Sequence, residues 1–401
     1  CARKPAPMRV AQAARPALRL SEWGRQLAGS PFMEGYTGAA RPFRPHIPAV
    51  DAFPVELWTR LSSRRSRRDE SLLLDNSDVR GYAPLREQLA VHLRVARGVS
   101  CSAEQIVIVP SVQQVLDLVT RLCVDPGDAV WLEDPGYIGA RAVFEAAAVR
   151  IVPVPVDDHG LDVAEGVRLA PQARLAYVTP GHQAPLGATL PIDRRLALLA
   201  WAEAQGAWVI EDDYDSEYRY RGRPVPALQS LDRAGVVVHT GTFSKTLLPA
   251  LRLAYAVLPE RLLERFVAAK SIMDRFTPVL GQAVLADFIE AGHFGRHLRR
   301  MRELYAERRS ALLQALEREL RDQVQVAGAN AGLDVTLFLP PGCRERAVQS
   351  ALAQQRIEAY PLGAHALRAK LRPGLVLGFA AFSPARLQRS VAQLARTLLH
   401  G

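Results

Sequence analysis

Short apolar runs alternate with longer amphipathic segments through the middle of the chain. Runs rich in β-branched residues predict buried strands, whereas apolar positions repeated every three or four residues predict helices. The predicted strands are Ile106–Val109, Ala129–Leu132, Arg150–Val154, Leu175–Val178, Ala207–Ile210, Val236–Val238 and Leu253–Val257. The helices predicted among them are Val112–Val124, Tyr137–Ala148 and Ile192–Gln205. This alternation predicts an α/β fold with a mainly parallel sheet between helices, which binds ligands beyond the carboxyl ends of its strands.

The pattern changes at both ends of this region. The N-terminal part predicts short helices at Ser21–Ala28 and Pro54–Leu61, and a helix that follows Gly81 and runs through Leu93. Residues 260–321 are almost wholly helical in pattern, and a smaller α/β unit follows, with the elements Asp334–Leu339, Arg344–Gln354, Leu375–Phe379 and Pro384–Leu399. We therefore expect four parts: a linker at 1–20, an N-terminal arm with helices joining the small domain at 21–70, a large domain at 71–290 and a small C-terminal domain at 291–401.

Composition excludes several classes of protein. The chain has 401 residues, of which 49% are hydrophobic, yet no apolar run approaches the roughly 18 residues that span a bilayer. Its four cysteines stand far apart without CxxC spacing, so we expect no metal site, no disulfide framework and a cytoplasmic location. The net charge of +10 allows contact with phosphate-rich partners. The densest basic cluster, Arg64–Arg68, is nevertheless more typical of a solvated helix end.

Lysine is rare in this sequence. Of 51 basic residues only four are lysines, namely Lys4, Lys245, Lys270 and Lys370. An amine can add to a carbonyl group, whereas a guanidinium is permanently protonated and cannot. Only Lys245 follows a predicted buried strand, in the hydroxyl-rich turn Thr240–Lys245. Lys245 is therefore the candidate for covalent catalysis, and the alternative is an incidental lysine at a strand corner.

Further polar and aromatic residues follow the predicted strands. Asp212 ends one strand, where a buried carboxylate needs a cation or hydrogen-bond donors. A helix N-terminus at Ser111, which can bind an anion, follows another strand. Each residue also has an ordinary interpretation as a helix cap, a core aromatic or an ion-pair partner. The full set of candidates is Ser111, Val112, Gln113, Tyr137, Asp212, Tyr214, Thr242, Ser244, Lys245 and Arg252.

Together these side chains suit an aromatic ring that carries an aldehyde, a phosphate and a protonated nitrogen. Lys245 would form an imine with the aldehyde, and Asp212 would keep the ring nitrogen protonated. Tyr214 would donate to the ring hydroxyl, and Tyr137 would stack on the ring. The amides of Ser111–Gln113 and the side chains of Thr242, Ser244 and Arg252 would hold the phosphate. The ligand with this chemistry is pyridoxal 5'-phosphate.

At this point the sequence resembles fold type I enzymes that use pyridoxal phosphate, and more narrowly the aminotransferase-like domain of MocR/GabR-type bacterial regulators. The resemblance extends over about residues 20–400. It is carried by the motifs Gly81–Arg86, Glu133–Tyr137, Thr179–Gly187, Ile210–Tyr220 and Gly241–Arg252. It implies a large sheet domain with a smaller α/β domain, a homodimer, and His182 as a further cofactor-binding residue. In that family a GntR-like winged helix binds DNA and precedes a linker, and we expect this chain to lack it.

Three positions depart from the family pattern. Ser111 stands where a phosphate-binding glycine is usual, and Asn76 stands where a tyrosine of the neighbouring subunit often reaches the phosphate. Val376 stands where aminotransferases keep an arginine for the substrate carboxylate, which leaves Arg372 as the nearby candidate. These departures are compatible with imine chemistry and argue against rapid transamination.

Three functions therefore stay open. The leading one is a sensor domain that forms an internal aldimine at Lys245 and an external aldimine with an amino effector, which shifts a dimer between conformations. Pyridoxal phosphate itself is an alternative effector. The second is a stand-alone amino-acid aminotransferase, in which Lys245 also transfers protons. The third is a structural domain without catalysis.

Overall fold

The computed structural model describes residues 19–27, 38–68, 77–222 and 225–400. Its strands form two sheets, one of eight strands and one of four. The strands are β1 (Ile106–Val109), β2 (Ala129–Asp134), β3 (Arg150–Asp157), β4 (Gly160–Leu161), β5 (Leu175–Val178), β6 (Trp208–Asp213), β7 (Val237–Thr242), β8 (Ala254–Val257), β9 (Gln325–Ala327), β10 (Asp334–Phe338), β11 (Tyr360–Pro361) and β12 (Gly374–Gly378).

Helices surround both sheets. In chain order they are α1 (Glu22–Gln26), α2 (Val55–Arg68), α3 (Ala83–Arg97), α4 (Val112–Cys123), α5 (Ile138–Ala146), α6 (Val163–Leu169), α7 (Ile192–Gln205), α8 (Phe243–Thr246), α9 (Glu260–Met273), α10 (Val279–Glu290), α11 (His293–Leu320), α12 (Glu345–Gln354) and α13 (Pro384–His400). No helix in the described part of the chain is both long and apolar enough to cross a membrane.

The large sheet has the order β1-β8-β7-β6-β5-β2-β3-β4. Its central strands β3, β2, β5, β6 and β7 pair in parallel, and antiparallel strands flank them on both sides. The small sheet, β11-β12-β10-β9, is antiparallel throughout. The predicted fold class, a mainly parallel sheet between helices with a smaller α/β unit, is confirmed. The predicted domain boundaries stay predictions.

Each face of the large sheet has its own apolar core. On one face, Tyr177 of β5 and Ile210 of β6 pack with Phe144 of α5. On the other, Trp131 of β2 stacks on Trp201 of α7, with ring centroids 3.7 Å apart. Burial on both faces explains why these strands are continuous apolar runs in the sequence.

The element bounds differ from the predicted ones mainly at strand ends. β1, β5 and α7 begin and end as predicted. β2, β6 and β7 continue beyond their apolar runs, because polar residues at their carboxyl ends still pair in the sheet, as Asp212 does with Thr240. The short elements β4, β9, β11 and α6 were not predicted, since two to seven residues give too little periodicity. Helix α2 runs seven residues beyond the predicted end at Leu61, to Arg68.

The basic end of α2 is only partly a solvated surface. Arg67 and Arg68 are exposed, as expected for such a helix end. Arg64 and Arg65, however, form ion pairs with Asp287 of α10, a carboxylate that is itself buried. This cluster therefore joins two helices of the fold.

Candidate functional site

The carboxyl ends of the parallel strands β5, β6 and β7 bring the central candidates together. Asp212 lies near the end of β6, opposite Thr240 of β7. Two residues further, Thr242 ends β7, and its hydroxyl accepts a hydrogen bond from the backbone N–H of Ser244 at 3.1 Å. This cap starts the single turn of α8, which carries Lys245.

Asp212 is a buried carboxylate with one satisfied oxygen. Its Oδ2 accepts a hydrogen bond of 2.8 Å from the hydroxyl of Tyr177, whereas its buried Oδ1 has no partner among the described residues. Burial raises the pKa of Asp212 to about 7, although the Tyr177 hydrogen bond acts in the opposite direction. A donor or a cation beside Oδ1 would stabilise the charged carboxylate.

Lys245 is partly buried and lies in an acidic environment. Burial lowers the pKa of its amine, and the carboxylates of Asp334, Asp215 and Asp212 oppose that shift. Its Nζ donates to the backbone carbonyl of His46 at 2.7 Å. A lowered pKa increases the fraction of neutral amine, which is the nucleophilic form.

His46 links this lysine to the small sheet. Its Nδ1 lies 2.5 Å from Oδ2 of Asp334, and its backbone N–H donates to Oδ1 of the same carboxylate at 2.8 Å. Asp334 is the first residue of β10. Residues separated by 288 positions along the chain therefore meet directly beside Lys245.

Tyr214 and His182 belong to one buried cluster. The Tyr214 hydroxyl lies 3.3 Å from Nδ1 of His182, and both carboxylate oxygens of Asp215 lie 3.1 Å from that nitrogen. Burial disfavours the charged imidazole, but Asp215 more than offsets this and raises the pKa of His182. Burial also raises the pKa of the Tyr214 phenol well above its usual value, so the phenol keeps its proton.

The predicted phosphate-binding residues stand at the start of α4. Ser111 caps this helix and accepts from the backbone N–H of Gln114 at 3.4 Å. The first backbone N–H groups of a helix, here near Val112 and Gln113, have no acceptor within the helix. The Gln113 side chain donates to the carbonyl of Gly139 at 3.1 Å, which joins the start of α4 to that of α5.

Tyr137 connects that helix start to Asp212. Its ring centroid is 6.2 Å from the ring of Tyr177, whose hydroxyl binds Asp212. The ring also lies over Gly139, where a Cβ atom would come within 2.4 Å of it. The structure therefore groups Gln113, Tyr137 and Asp212 through a continuous series of contacts.

Arg252 and Arg372 make no contact with the buried side chains of this site. Arg252 is exposed, with a positive φ of 50°, and no side chain in the described part of the chain binds its guanidinium. Arg372 is exposed and donates to the carbonyl of Leu339, just past β10. Asp334 occupies the opposite end of that strand, which puts Leu339 roughly 16 Å from it along the strand. Arg372 thus lies away from Asp334 and Lys245 in this structure, and its role with an effector carboxylate stays a prediction. Asn76 lies outside the described residues.

Sequence reasoning missed four residues of this site, namely His46, Tyr177, Asp215 and Asp334. Tyr177 had one visible signal, a hydroxyl in the otherwise aliphatic strand Leu175–Val178. Asp215 lies inside the motif Ile210–Tyr220, but the motif alone does not indicate its contact with His182. His46 and Asp334 have no local signal, because only the packing of an N-terminal segment against the small sheet brings them together.

Two cavities lie away from these residues. One, of about 440 Å³, is lined by side chains of α2, among them Arg60, Arg64 and Arg67. The other, of about 470 Å³, lies beside the start of α9 and includes Gln105 and Arg261. No group of three or more metal-ligating side chains occurs within residues 19–27, 38–68, 77–222 and 225–400.

The fold and the site together define a class of protein built on the aminotransferase scaffold. The chain belongs to the family of class I and II aminotransferases, which it matches over residues 56–392. Its relatives include regulators as well as enzymes. It is 38% identical over 386 residues to the probable rhizopine catabolism regulatory protein MocR of Rhizobium meliloti, covering 94% of this chain and 78% of that protein.

Enzymes of the same fold are similar over most of their length. The chain is 32% identical over 357 residues to the 2-aminoadipate transaminase of Thermus thermophilus, covering 88% of each. Among solved structures, it is similar to LysN, the α-aminoadipate aminotransferase from Thermus thermophilus, with a TM-score of 0.82 and 30% identity. That match covers 89% of this chain and 92% of LysN, which was crystallised with N-(5'-phosphopyridoxyl)-L-leucine.

Proposed function

We propose that this chain is the effector-sensing part of a MocR-like bacterial transcription regulator and that it binds pyridoxal 5'-phosphate at Lys245. The single observation that carries the cofactor assignment is the buried Oδ1 of Asp212, which has no partner among the described residues. A protonated ring nitrogen would supply the missing donor. The similarity to MocR over 94% of the chain supports the regulatory role.

The residues at the strand ends suit the separate parts of this cofactor. Asp212 would accept from the ring nitrogen, and Tyr214, which keeps its proton, would donate to the ring hydroxyl. The N-terminus of α4, with Ser111, Val112 and Gln113, would hold the phosphate together with Thr242 and Ser244. Arg252, whose guanidinium has no hydrogen-bond partner in the described part of the chain, would add a bidentate contact to the phosphate. When bound, the cofactor supplies an aldehyde and an electron-withdrawing ring.

Lys245 would attach the cofactor covalently. Its neutral amine would be the group that adds to the aldehyde carbon, with loss of water as the carbon–nitrogen double bond formed. An amino effector would replace Lys245 in the same bond and release the lysine amine. The effector's preference for one conformation of the protein would then shift the population of conformations, which is the signal of a sensor domain.

We also infer a homodimer, as the family resemblance implies. Ile272 and Met273 at the end of α9 support this inference, since 88% and 45% of their surfaces are exposed. Apolar side chains of this size are more often covered by a partner when they cluster. DNA would be bound through a winged helix of the kind found in the related regulators, not through the residues described above.

Replacement of Lys245 tests the covalent attachment. The wild-type protein mixed with pyridoxal phosphate should show a visible absorption band, and borohydride should fix one phosphopyridoxyl group on the peptide that contains Lys245. Lys245→Ala should abolish both signals. Lys370→Ala, which removes an exposed lysine elsewhere, should leave both unchanged. A band that persists in Lys245→Ala would refute the assignment.

A stand-alone aminotransferase is the second candidate, favoured by the 32% identity to the 2-aminoadipate transaminase. The position of Val376 argues against it, since this buried residue of β12 replaces the arginine expected for a substrate carboxylate. Incubation with amino acids and a keto acid separates the two candidates. A sensor gives slow or single turnover, and rapid repeated turnover would favour the enzyme.

A further inference from the structure

Tyr177 is a buried residue of the site with no function assigned by the motifs. It stands on β5, opposite Ile210 of the neighbouring strand β6, and is fully buried. Its side chain lies on the same face of the sheet as those of Ile210 and Asp212. The phenol reaches along this face and donates to Oδ2 of Asp212 at 2.8 Å.

Asp212 depends on this donor because its other neighbours are mostly acidic. Asp213 and Asp215 lie on the same chain segment as Asp212, and both disfavour a negative charge on it. Glu133 on β2 has the same effect. Two cationic groups favour the charged form of Asp212. One is the imidazole of His239 on β7, and the other is the amine of Lys245 on α8. Among the described residues, the Tyr177 hydroxyl is the only hydrogen-bond donor to the Asp212 side chain.

The Tyr177 hydroxyl is a hydrogen-bond donor at neutral pH. Burial and the nearby Asp212 raise the pKa of this phenol well above its usual value, so it is protonated at neutral pH. The Tyr137 ring packs beside it at 6.2 Å between centroids, which restricts rotation of the Tyr177 ring. The direction of the hydrogen bond to Asp212 is therefore fixed.

We propose that Tyr177 is a positioning residue, which holds Oδ2 of the Asp212 carboxylate so that the buried Oδ1 faces the ring nitrogen of the cofactor. This inference rests on the proposed function, because it assumes that pyridoxal phosphate binds at Lys245. Tyr177 itself touches Asp212 and not the reacting atoms. It acts by keeping the carboxylate charged and oriented, which in turn keeps the ring nitrogen protonated.

Tyr177→Phe isolates the hydroxyl, since the phenyl ring can keep the same packing. The readout is the ¹⁵N chemical shift of pyridoxal phosphate labelled at the ring nitrogen, measured on the bound cofactor as a function of pH. In the wild type the nitrogen should remain protonated to high pH. In Tyr177→Phe it should lose its proton at a lower pH, and the cofactor should dissociate about tenfold faster on dilution.

Two other variants complete the test. Asp212→Asn should give the unprotonated shift at neutral pH and marks the full effect of losing the carboxylate. Tyr255→Phe is the matched control, because Tyr255 is a buried tyrosine of the same sheet whose hydroxyl binds no group in the described part of the chain. It should match the wild type in both measurements.

The outcomes distinguish this inference from the proposed function. If wild-type protein binds the cofactor through Lys245 but Tyr177→Phe matches it in ¹⁵N shift and dissociation rate, the positioning role of Tyr177 is refuted and the proposed function stands. If Tyr177→Phe speeds dissociation without moving the ¹⁵N titration, the residue is merely structural and the inference also fails. If wild-type protein does not form the bond at Lys245, the proposed function fails first.

Discussion

Burial controls the charge of single residues in this site. Asp212, Glu133 and Glu217 are enclosed at the carboxyl end of the large sheet, and burial raises the pKa of each to about 7. Arg97 has the opposite influence nearby, since its guanidinium holds the pKa of Asp213 below the usual range despite burial. The adjacent carboxylates of Asp212 and Asp213 on β6 therefore differ in charge at neutral pH, because only Asp213 forms an ion pair with the guanidinium of Arg97.

The raised pKa of Asp212 predicts a pH-dependent stability of the cofactor-free protein. The folded-state pKa of Asp212, about 7, lies above the ordinary aspartate value of 3.8. Burial of the neutral carboxyl is therefore favourable at low pH, and the protein loses stability as pH rises from 3.8 through about 7. Asparagine does not ionise, so the Asp212→Asn variant does not lose stability in this way. Between pH 5 and pH 8 the variant should therefore gain roughly 2 kcal/mol of unfolding free energy relative to the wild type.

Urea unfolding of both proteins at the two pH values measures this difference. Asp322→Asn, which alters an exposed aspartate, is the control and should show no such gain. A difference between wild type and Asp212→Asn that stays constant from pH 5 to pH 8 would mean that the Asp212 carboxyl is not buried as described.

Single residues could be predicted from the sequence only where their position along the chain determined their neighbours. Lys245 and Asp212 each follow an apolar strand, so parallel strands placed them at one edge of the sheet. The contact of Lys245 with His46, 199 positions away, depends on packing that no local pattern records. Tyr177 was missed for a different reason, since a tyrosine in a buried strand is ordinarily part of the core.

At the scale of elements, the turn before α3 shows how a motif fixes the start of a helix. Gly81 has a φ of 96°, and its N–H donates to the carbonyl of Asp78. A Cβ atom there would lie 2.6 Å from Cβ of Ile108 on β1 and 2.7 Å from Oε1 of Gln282. The same Gln282 oxygen accepts from the N–H of Tyr82, so the turn ties α3 to both β1 and α10.

Gly81→Ala should destabilise the protein by about 3 kcal/mol, since it combines a strained backbone with a steric clash. Gly127→Ala separates the two effects. Gly127 has a similar φ of 91° but nothing within 4 Å of a Cβ atom, so its replacement should cost only about 1 kcal/mol. Thermal or urea unfolding measures both, and equal losses would show that β1 and Gln282 can move aside.

The elements themselves were the most predictable level of the structure. Every predicted strand of the large sheet exists, because burial on both faces leaves a continuous apolar run. The strand ends were less predictable, since polar residues such as Asp212 and Asp213 continue the ladder where the apolar run stops. Those extended ends are also where the candidate site lies.

At the scale of the whole molecule, an N-terminal segment joins the small sheet to the candidate site. Phe43 pairs with Gly378 of β12, and the Arg44 guanidinium binds the carboxylate of Glu358. A little further along, His46 binds Asp334 through its side chain and Lys245 through its carbonyl. A change at Lys245 is thereby coupled to the small sheet through a single residue of this segment.

Asp334 provides a test of that coupling, because it belongs to the small sheet yet is the carboxylate that most strongly opposes the lowering of the Lys245 pKa. Asp334→Asn removes the opposing charge, so the pKa of Lys245 should fall further and more of the amine should be neutral at pH 7. Pyridoxal phosphate should then form its visible band several-fold faster at pH 7, and the rise of this rate with pH should begin at lower pH.

Stopped-flow absorbance across a pH series measures both effects, with Asp322→Asn again as the control. If the rate profile of Asp334→Asn coincides with that of the wild type, Asp334 does not influence the pKa of Lys245 and the electrostatic coupling to the small sheet is refuted.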